Sequence, residues 1–310
     1  METEEESITK IPGLHRPNKI TTSPDGKRAY VCGLSTTSDA LTTVIDTEAR
    51  RIIKTIPSYR GGGSRIGVSN DSSRFYVSTG TENGNYLEVF KASDLSTLGK
   101  ITTEILGNVV VDPAGRYVYL VGRFGGELPN GKLEKIDVIN FRSIQTIQLQ
   151  NNSGHGAISP NGTYIYATNP NGDGVSKGTV SVFDTANSRI IKNIETVPNV
   201  KEIVASPDGS TIFSVSSERN MLVVINVQTL SVTHQIPLEG PAYYLAISPD
   251  GKYLITSTQT TGLIIDTQDF TIKRFLPGDP FVGPAFSSDG RSVWVIKGTE
   301  VWVIPLSMIQ

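Results

Sequence analysis

The 310-residue chain has few of the features that secreted or membrane proteins depend on. It contains one cysteine, Cys32, so no intramolecular disulfide can form. Its first seven residues are acidic and polar, unlike a secretory leader. No apolar run approaches the roughly 20 residues that a membrane helix requires. We therefore expect a cytoplasmic protein that does not insert into a membrane.

Charge and metal-ligand patterns are equally sparse. The chain has 28 basic and 30 acidic residues, which leaves no basic surface field for nucleic acid. Its three histidines do not form a zinc pattern, and there is no CxxC, Walker loop or GxGxxG context. We expect no metal, no cofactor and no nucleic-acid partner, and we expect a monomer.

Helical periodicity is also missing, and a repeat takes its place. A four-residue turn of the type Ser-Pro-Asp-Gly, followed by a strand rich in aromatic and β-branched residues, recurs seven times with successive copies 39 to 47 residues apart. The copies are Ser23–Gly26, Ser69–Ser72, Asp112–Gly115, Ser159–Gly162, Ser206–Gly209, Ser248–Gly251 and Ser287–Gly290. A period of about 40–45 residues with several short strands per unit is typical of β-propeller blades.

Each unit contains four strand-like segments, except the last, which ends without an outer strand. Ile8–Pro12 closely resembles Ile53–Pro57, which is the outer strand of the first unit. Residues 6–12 should therefore supply the fourth strand of the last blade and close the ring. The predicted fold is all-β: one domain over 1–310, a seven-bladed β-propeller with four-stranded blades.

The repeated acidic residues are interpreted as turn formers, because Asp binds local backbone amides and Gly tolerates positive φ. A second set of acidic or amide residues should cap the turn between the third and fourth strands of a blade. We place Asp46, Asp184, Asp266, Asn140 and Asn226 at this position.

A different register position carries the candidate site. Four residues before the first residue of each turn, the inner strands hold a polar side chain in six units of seven. The residues are Lys19, Arg65, Asn108, His155, Glu202, Tyr244 and Gly283. Fold maintenance would tend to repeat one residue type, whereas this set varies from blade to blade. We expect the six polar side chains to surround one cavity at the mouth of the central channel.

The candidate proton-transfer pair is His155 and Glu202, which come from consecutive blades at the same height. Lys19 and Arg65 would hold negative charge on a substrate, and Asn108 and Tyr244 would stabilise an oxyanion. The alternative is a water-filled channel whose mouth is merely solvated.

Three loops on the same face are longer than the others, namely Gly33–Ala40, Arg123–Lys132 and Asn169–Gly178. Long loops over one side of a channel suit a lid or a specificity wall. Arg123, which opens the second of them, is a further candidate substrate-binding residue. Tolerated insertion in a solvent loop would explain each loop equally well.

The runs SPDGKRAYV and DPAGRYVYLVG resemble the YVTN-type β-propeller repeat family over essentially the whole chain. A looser resemblance links Gly154–Pro160 and Glu202–Gly209 to the propeller lactonase and muconate-lactonising group, whose inner strands bear a histidine and a glutamate. The first resemblance implies a seven-bladed fold. The second implies lactone-forming or lactone-opening activity.

Two functions follow from these observations. The first is a small-molecule enzyme with cofactor-free acid–base chemistry of the lyase, isomerase, cyclase or lactonase type. The second is a non-catalytic binding or scaffold module that uses the channel face for a protein or peptide partner. A deep, water-depleted pocket would favour the enzyme, and a wide, flat mouth would favour the scaffold.

Overall fold

The computed structural model describes residues 7–34, 39–60, 65–123, 130–170, 176–277 and 280–309. Within them, seven antiparallel sheets of four strands follow one another along the chain. By blade, the strands are β2 Lys19–Thr22, β3 Arg28–Leu34, β4 Asp39–Asp46 and β5 Arg51–Arg60; β6 Arg65–Val68, β7 Arg74–Thr81, β8 Gly84–Lys91 and β9 Thr97–Thr103; β10 Leu106–Val111, β11 Tyr117–Arg123, β12 Gly131–Asp137 and β13 Arg142–Gln148; β14 Gly156–Ile158, β15 Tyr164–Asn169, β16 Thr179–Asp184 and β17 Arg189–Glu195; β18 Val200–Ala205, β19 Thr211–Ser216, β20 Met221–Asn226 and β21 Ser231–Pro237; β22 Tyr244–Ile247, β23 Tyr253–Ser257, β24 Thr261–Asp266 and β25 Ile272–Pro277; and β26 Val282–Phe286, β27 Ser292–Lys297, β28 Glu300–Pro305 and β1 Thr9–Ile11.

The seventh blade confirms the predicted closure. Strand β1 pairs antiparallel with β28, so that Thr9 lies opposite Val303 and Ile11 opposite Val301. Ile11 is 2% exposed and packs in one core cluster with Trp294. A single 3-10 turn, Leu306–Met308, follows β28. No helix in the described part of the chain is long and apolar enough to cross a membrane.

The repeated turns are built by their own side chains. In the first blade the Ser23 hydroxyl donates to Asp25 Oδ1 at 2.6 Å and accepts from the Arg28 amide at 3.0 Å. Gly26 has φ +72°, a conformation that glycine adopts without steric cost. Because equivalent bonds recur in other blades, at Ser69, Ser206, Ser248 and Ser287, the acidic residues of these turns serve the fold.

The capping residues between third and fourth strands follow the prediction in four blades and differ in one. Side-chain oxygens accept from backbone amides two or three residues ahead at Asp46, Asp184, Asp266 and Asn226. In the third blade the acceptor is Asp137 and not Asn140. The backbone N–H of Asn140 instead donates to Asp137 Oδ1 at 2.9 Å. The predicted position of Asn140 was wrong because the strand ends three residues earlier.

Candidate functional site

The seven inner strands converge on the channel, and one small cavity of about 180 Å³ lies where they begin. Every residue that lines it has a polar or charged side chain. The lining residues are Asn18, Lys19, Arg65, Asn108, His155, Glu202 and Tyr244. The structure thus brings all six predicted polar residues together, and it adds Asn18. Their chemical roles stay predictions.

A β-bulge sets the position of the glutamate. Over Val200–Ile203 the inner strand β18 has one residue more than its partner, so that Lys201 and Glu202 together face Val215. Bulges change the direction of a side chain and are frequent next to active sites. The Ser214 hydroxyl donates to the Glu202 carbonyl at 2.9 Å and fixes the backbone here.

Glu202 lies between two basic side chains. Its Oε1 is 3.0 Å from Lys19 Nζ, and its Oε2 is 3.2 Å from His155 Nδ1. The histidine contact is close, but it is not aligned as a hydrogen bond, and Nδ1 has no other partner in the described residues. Burial raises the pKa of the Glu202 carboxyl, but Lys19 and His155 outweigh it and hold the pKa below its ordinary value. The carboxylate is therefore ionised at neutral pH.

Arg65 and Asn108 connect blades across the cavity. Arg65 Nη1 donates to the Gly154 carbonyl at 2.8 Å, directly before His155 in the chain. Asn108 Oδ1 accepts from the Gly156 amide at 3.2 Å. Because a backbone N–H can only donate, the oxygen of Asn108 is fixed here and its amide nitrogen is directed elsewhere. No described residue accepts a hydrogen bond from that nitrogen.

Tyr244 and Asn18 complete the wall. Burial and the nearby Glu202 carboxylate raise the pKa of Tyr244, so its phenol stays a neutral donor. Asn18 Oδ1 is buried without a hydrogen-bond partner in the described residues. A ligand with one donor group would satisfy it.

The seventh register position is a glycine for a steric reason. Gly283 has φ +54°, and a Cβ there would lie 2.7 Å from Lys19 Cα and 2.9 Å from the Asn18 carbonyl oxygen. The ring therefore has no seventh side chain, because the last blade brings its backbone against the first.

Arg123 lies outside the cavity wall. It is exposed at the end of β11. Burial lowers the pKa values of Arg65 and Lys201, and the charge of Arg123 lowers them further. It therefore belongs to a cationic rim. Most of the three long loops, residues 35–38, 124–129 and 171–175, lies outside the described residues.

The opposite end of the channel holds a wider space of about 500 Å³. Apolar residues such as Ile66 and Leu245 line much of it. Lys19, Asn108 and Glu202 border both spaces, so the ion pair stands between them. In the parts of the chain that the structure describes, no group of three His, Cys, Asp or Glu side chains could hold a metal ion.

Together, the fold and this site define a seven-bladed β-propeller with a polar cavity in its channel. The chain belongs to the family described as the domain of unknown function DUF5074, whose model matches residues 72–239. A chain of the hydrazine synthase of Kuenenia stuttgartiensis is similar in structure, with a TM-score of 0.81, 18% sequence identity and 98% of each chain covered. At that identity the likeness shows the fold alone. No curated protein matches, and the YVTN and lactonase resemblances stay predictions.

Sequence reasoning missed three features of the site. Asn18 directly precedes the aligned position and could have been found by reading one residue further back. Lys201 enters the rim only because of the bulge. The pairing of Lys19 with Glu202 joins residues 183 positions apart, and no local pattern indicates it.

Proposed function

We propose that this protein is a small-molecule enzyme that carries out acid–base chemistry on a compact organic anion in the channel cavity. The observation that carries the proposal is the ionised Glu202 held between Lys19 and His155. A carboxylate near Nδ1 favours the imidazole tautomer protonated there, which leaves the lone pair of Nε2 for a ligand. No described residue bonds Nε2.

The other cavity residues support an anionic ligand. Lys19 and Glu202 neutralise each other, so the charge of Arg65 is left in excess, and the rim residues Arg123 and Lys201 add to it. Arg65, whose planar guanidinium suits carboxylates, keeps donors beyond the one used on Gly154. A volume of about 180 Å³ suits a compact ligand with an anionic group.

The proposed step is removal of a proton by His155 Nε2. The electron pair left behind moves onto a carbonyl oxygen of the substrate, where Tyr244 and the Asn108 amide nitrogen donate to the developing oxyanion. The imidazolium that forms is stabilised by Glu202 and returns its proton to another atom or to a leaving group. Isomerase, lyase and cyclase reactions that pass through an enolate share this sequence. In a lactonase reaction His155 Nε2 would instead take a proton from water as the water oxygen bonds to the lactone carbonyl carbon and the C=O electron pair moves onto oxygen; the ring C–O bond would then break, with the proton returned to the leaving alkoxide. We also propose a cytoplasmic, monomeric protein.

The test is capture of metabolites from a cell extract by the purified protein, followed by mass spectrometry. We expect an enriched small anion with the wild type, weaker enrichment with Arg65→Ala, and no effect of His234→Ala. His234 is a matched control because it is exposed on the outer strand β21. If no small molecule is enriched but a peptide is, the scaffold module replaces the enzyme.

A further inference from the structure

The outer surface of the third blade exposes three large apolar side chains within six residues. Ile139 is 54% exposed and Phe141 38% exposed in the turn that joins β12 to β13, and Ile144 is 45% exposed on β13 itself. Single exposed apolar residues are normal on a protein surface, whereas a group of neighbouring ones marks an interaction site. The third blade therefore offers a candidate binding surface away from the channel.

The repeat shows that the turn does not require Ile139. In the five other blades whose third strand leads by a turn into the outer strand, the residue two positions after the third strand is small or polar. These residues are Glu48, Ser93, Ala186, Gln228 and Gln268. The third blade alone has a large apolar side chain there, so turn formation does not explain it.

Phe141 lies over the backbone of the second blade, because a Cβ at Gly99 of β9 would overlap the Phe141 ring. In the sixth blade the same turn position holds Phe270, whose ring packs against His234 with centroids 5.1 Å apart. His234 occupies in β21 the position that Gly99 has in β9, directly after the bulge of the outer strand. Since glycine has no side chain to cover the ring, a groove stays open beside Phe141.

Two cations of the second blade border the same groove. Phe75 and Phe90, which precede or follow them along β7 and β8, pack toward the first blade. Because successive side chains of a strand point to opposite faces, Arg74 and Lys91 are directed toward the third blade. Arg74 Nη1 donates to the Val138 carbonyl, in the turn between β12 and β13, at a long 3.5 Å. We refer to this junction as the blade 2–3 groove, which is formed by Arg74, Lys91, Gly99, Ile139, Phe141 and Ile144.

Sheet formation does not explain the two cations. In every blade, the first residue of the second strand lies opposite one particular residue of the third strand. The pairs are Arg28–Asp46, Arg74–Lys91, Tyr117–Asp137, Tyr164–Asp184, Thr211–Asn226, Tyr253–Asp266 and Ser292–Pro305. The second blade alone places two cations opposite each other, and like charges in that arrangement destabilise a sheet.

Both cations keep hydrogen-bonding capacity for a partner. A guanidinium has five N–H groups, of which one of Arg74 makes the long bond to Val138. Lys91 lies 3.3 Å from Asp94, but both side chains are more than half exposed, so this pair is worth little. Asp71 also lies near Arg74, but it accepts hydrogen bonds from two serines of its own turn. Arg74 and Lys91 can therefore donate to a carboxylate of a partner.

We propose that the blade 2–3 groove binds an acidic segment of a partner protein that inserts one large apolar side chain. That side chain would cover the Phe141 ring above Gly99, as His234 covers Phe270. Carboxylates beside it would pair with the cations, and such charge-assisted bonds are stronger than neutral ones. A second copy of this chain fits less well, because a symmetric contact through the groove would bring like charges together.

The test selects a displayed library of random 12-residue peptides on the wild-type protein. A synthetic peptide of the selected consensus is then measured by fluorescence anisotropy with Lys91→Asp and Ile139→Gln. Both substitutions introduce residues that other blades have at these positions, as in Asp266 and Gln268 of the sixth. The matched controls are Lys273→Asp on β25 and Ile191→Gln on β17, which change an exposed lysine and an exposed isoleucine elsewhere. Circular dichroism verifies the fold of each variant.

We expect a consensus in which a large apolar residue is flanked by Asp or Glu. Lys91→Asp and Ile139→Gln should each weaken binding about tenfold, and the two control variants should bind as the wild type does. A peptide with lysine in place of its acidic residues should bind Lys91→Asp more tightly than the wild type. This reversal requires direct pairing with the groove.

Three results would overturn the proposal. The first is a selection without enrichment, and the second is a consensus without acidic residues. The third is an equal loss of affinity in Lys273→Asp or Ile191→Gln. Sedimentation of the protein alone provides a further check: self-association that Ile139→Gln abolishes would show that a second copy occupies the groove and would overturn the assignment to another protein.

Discussion

The ion pair between Lys19 and Glu202 gives the sharpest prediction about how the cavity is held together. Glu202→Gln keeps the shape of the side chain but leaves the Lys19 ammonium without its partner. Removing one member of a fully buried pair costs about 3–5 kcal/mol. Because the Lys19 side chain is 29% exposed and can regain some water, we expect about 2 kcal/mol of lost stability.

The assay is denaturant unfolding of wild type, Glu202→Gln, Lys19→Met and the double variant. The double-mutant cycle should give a favourable coupling of about 1–2 kcal/mol, since the double variant leaves no charge unpaired. The folded-state pKa of Glu202 lies below its unfolded value of about 4.5, so the pair stabilises the protein above that pH. This contribution should decline as the pH falls below about 4.5 and approaches the folded-state pKa. A coupling near zero, or a stability gap between wild type and Glu202→Gln that does not narrow in acid, would refute the reasoning.

Two further predictions concern the closure of the ring and the seventh position. Ile11→Ala should lower the free energy of unfolding by about 2–5 kcal/mol, because Ile11 is 2% exposed in the last blade. Deletion of residues 1–12 should lower it further. Unchanged thermal unfolding of the deletion variant would contradict the closure of the ring. Gly283→Ala should destabilise the fold and weaken ligand capture, because the Cβ of the new alanine would meet the backbone at Lys19. A wild-type melting temperature for this variant would show that the first and last blades can separate there at no cost.

The sequence was sufficient for the architecture because six of the seven blades repeat the same turn chemistry. The hydroxyl and carboxylate of Ser23 and Asp25 close the turn within the turn itself, so a short motif reports the fold directly. The same regularity aligns the inner strands, and one register position therefore identified six residues of the cavity wall. Asn140 was placed incorrectly because Asp137 and Asn140 both suit a capping position and only the end of β12 distinguishes them.

Contacts between distant blades could not be predicted in this way. The bulge that turns Glu202 has no local signal in the sequence, and it also brings Lys201 to the rim. Lys19 was assigned to a substrate, whereas in the structure its charge is already paired with Glu202.

The central claim is that His155 and Glu202 transfer a proton within the channel cavity. The most direct measurement is the turnover rate of the captured metabolite by wild type, His155→Ala and Glu202→Gln, with His234→Ala as the control. Loss of general acid–base catalysis typically lowers a rate by about 10²–10⁴-fold. We predict a loss of that size for His155→Ala and Glu202→Gln, with His234→Ala at the wild-type rate. Wild-type turnover by both His155→Ala and Glu202→Gln would contradict the account.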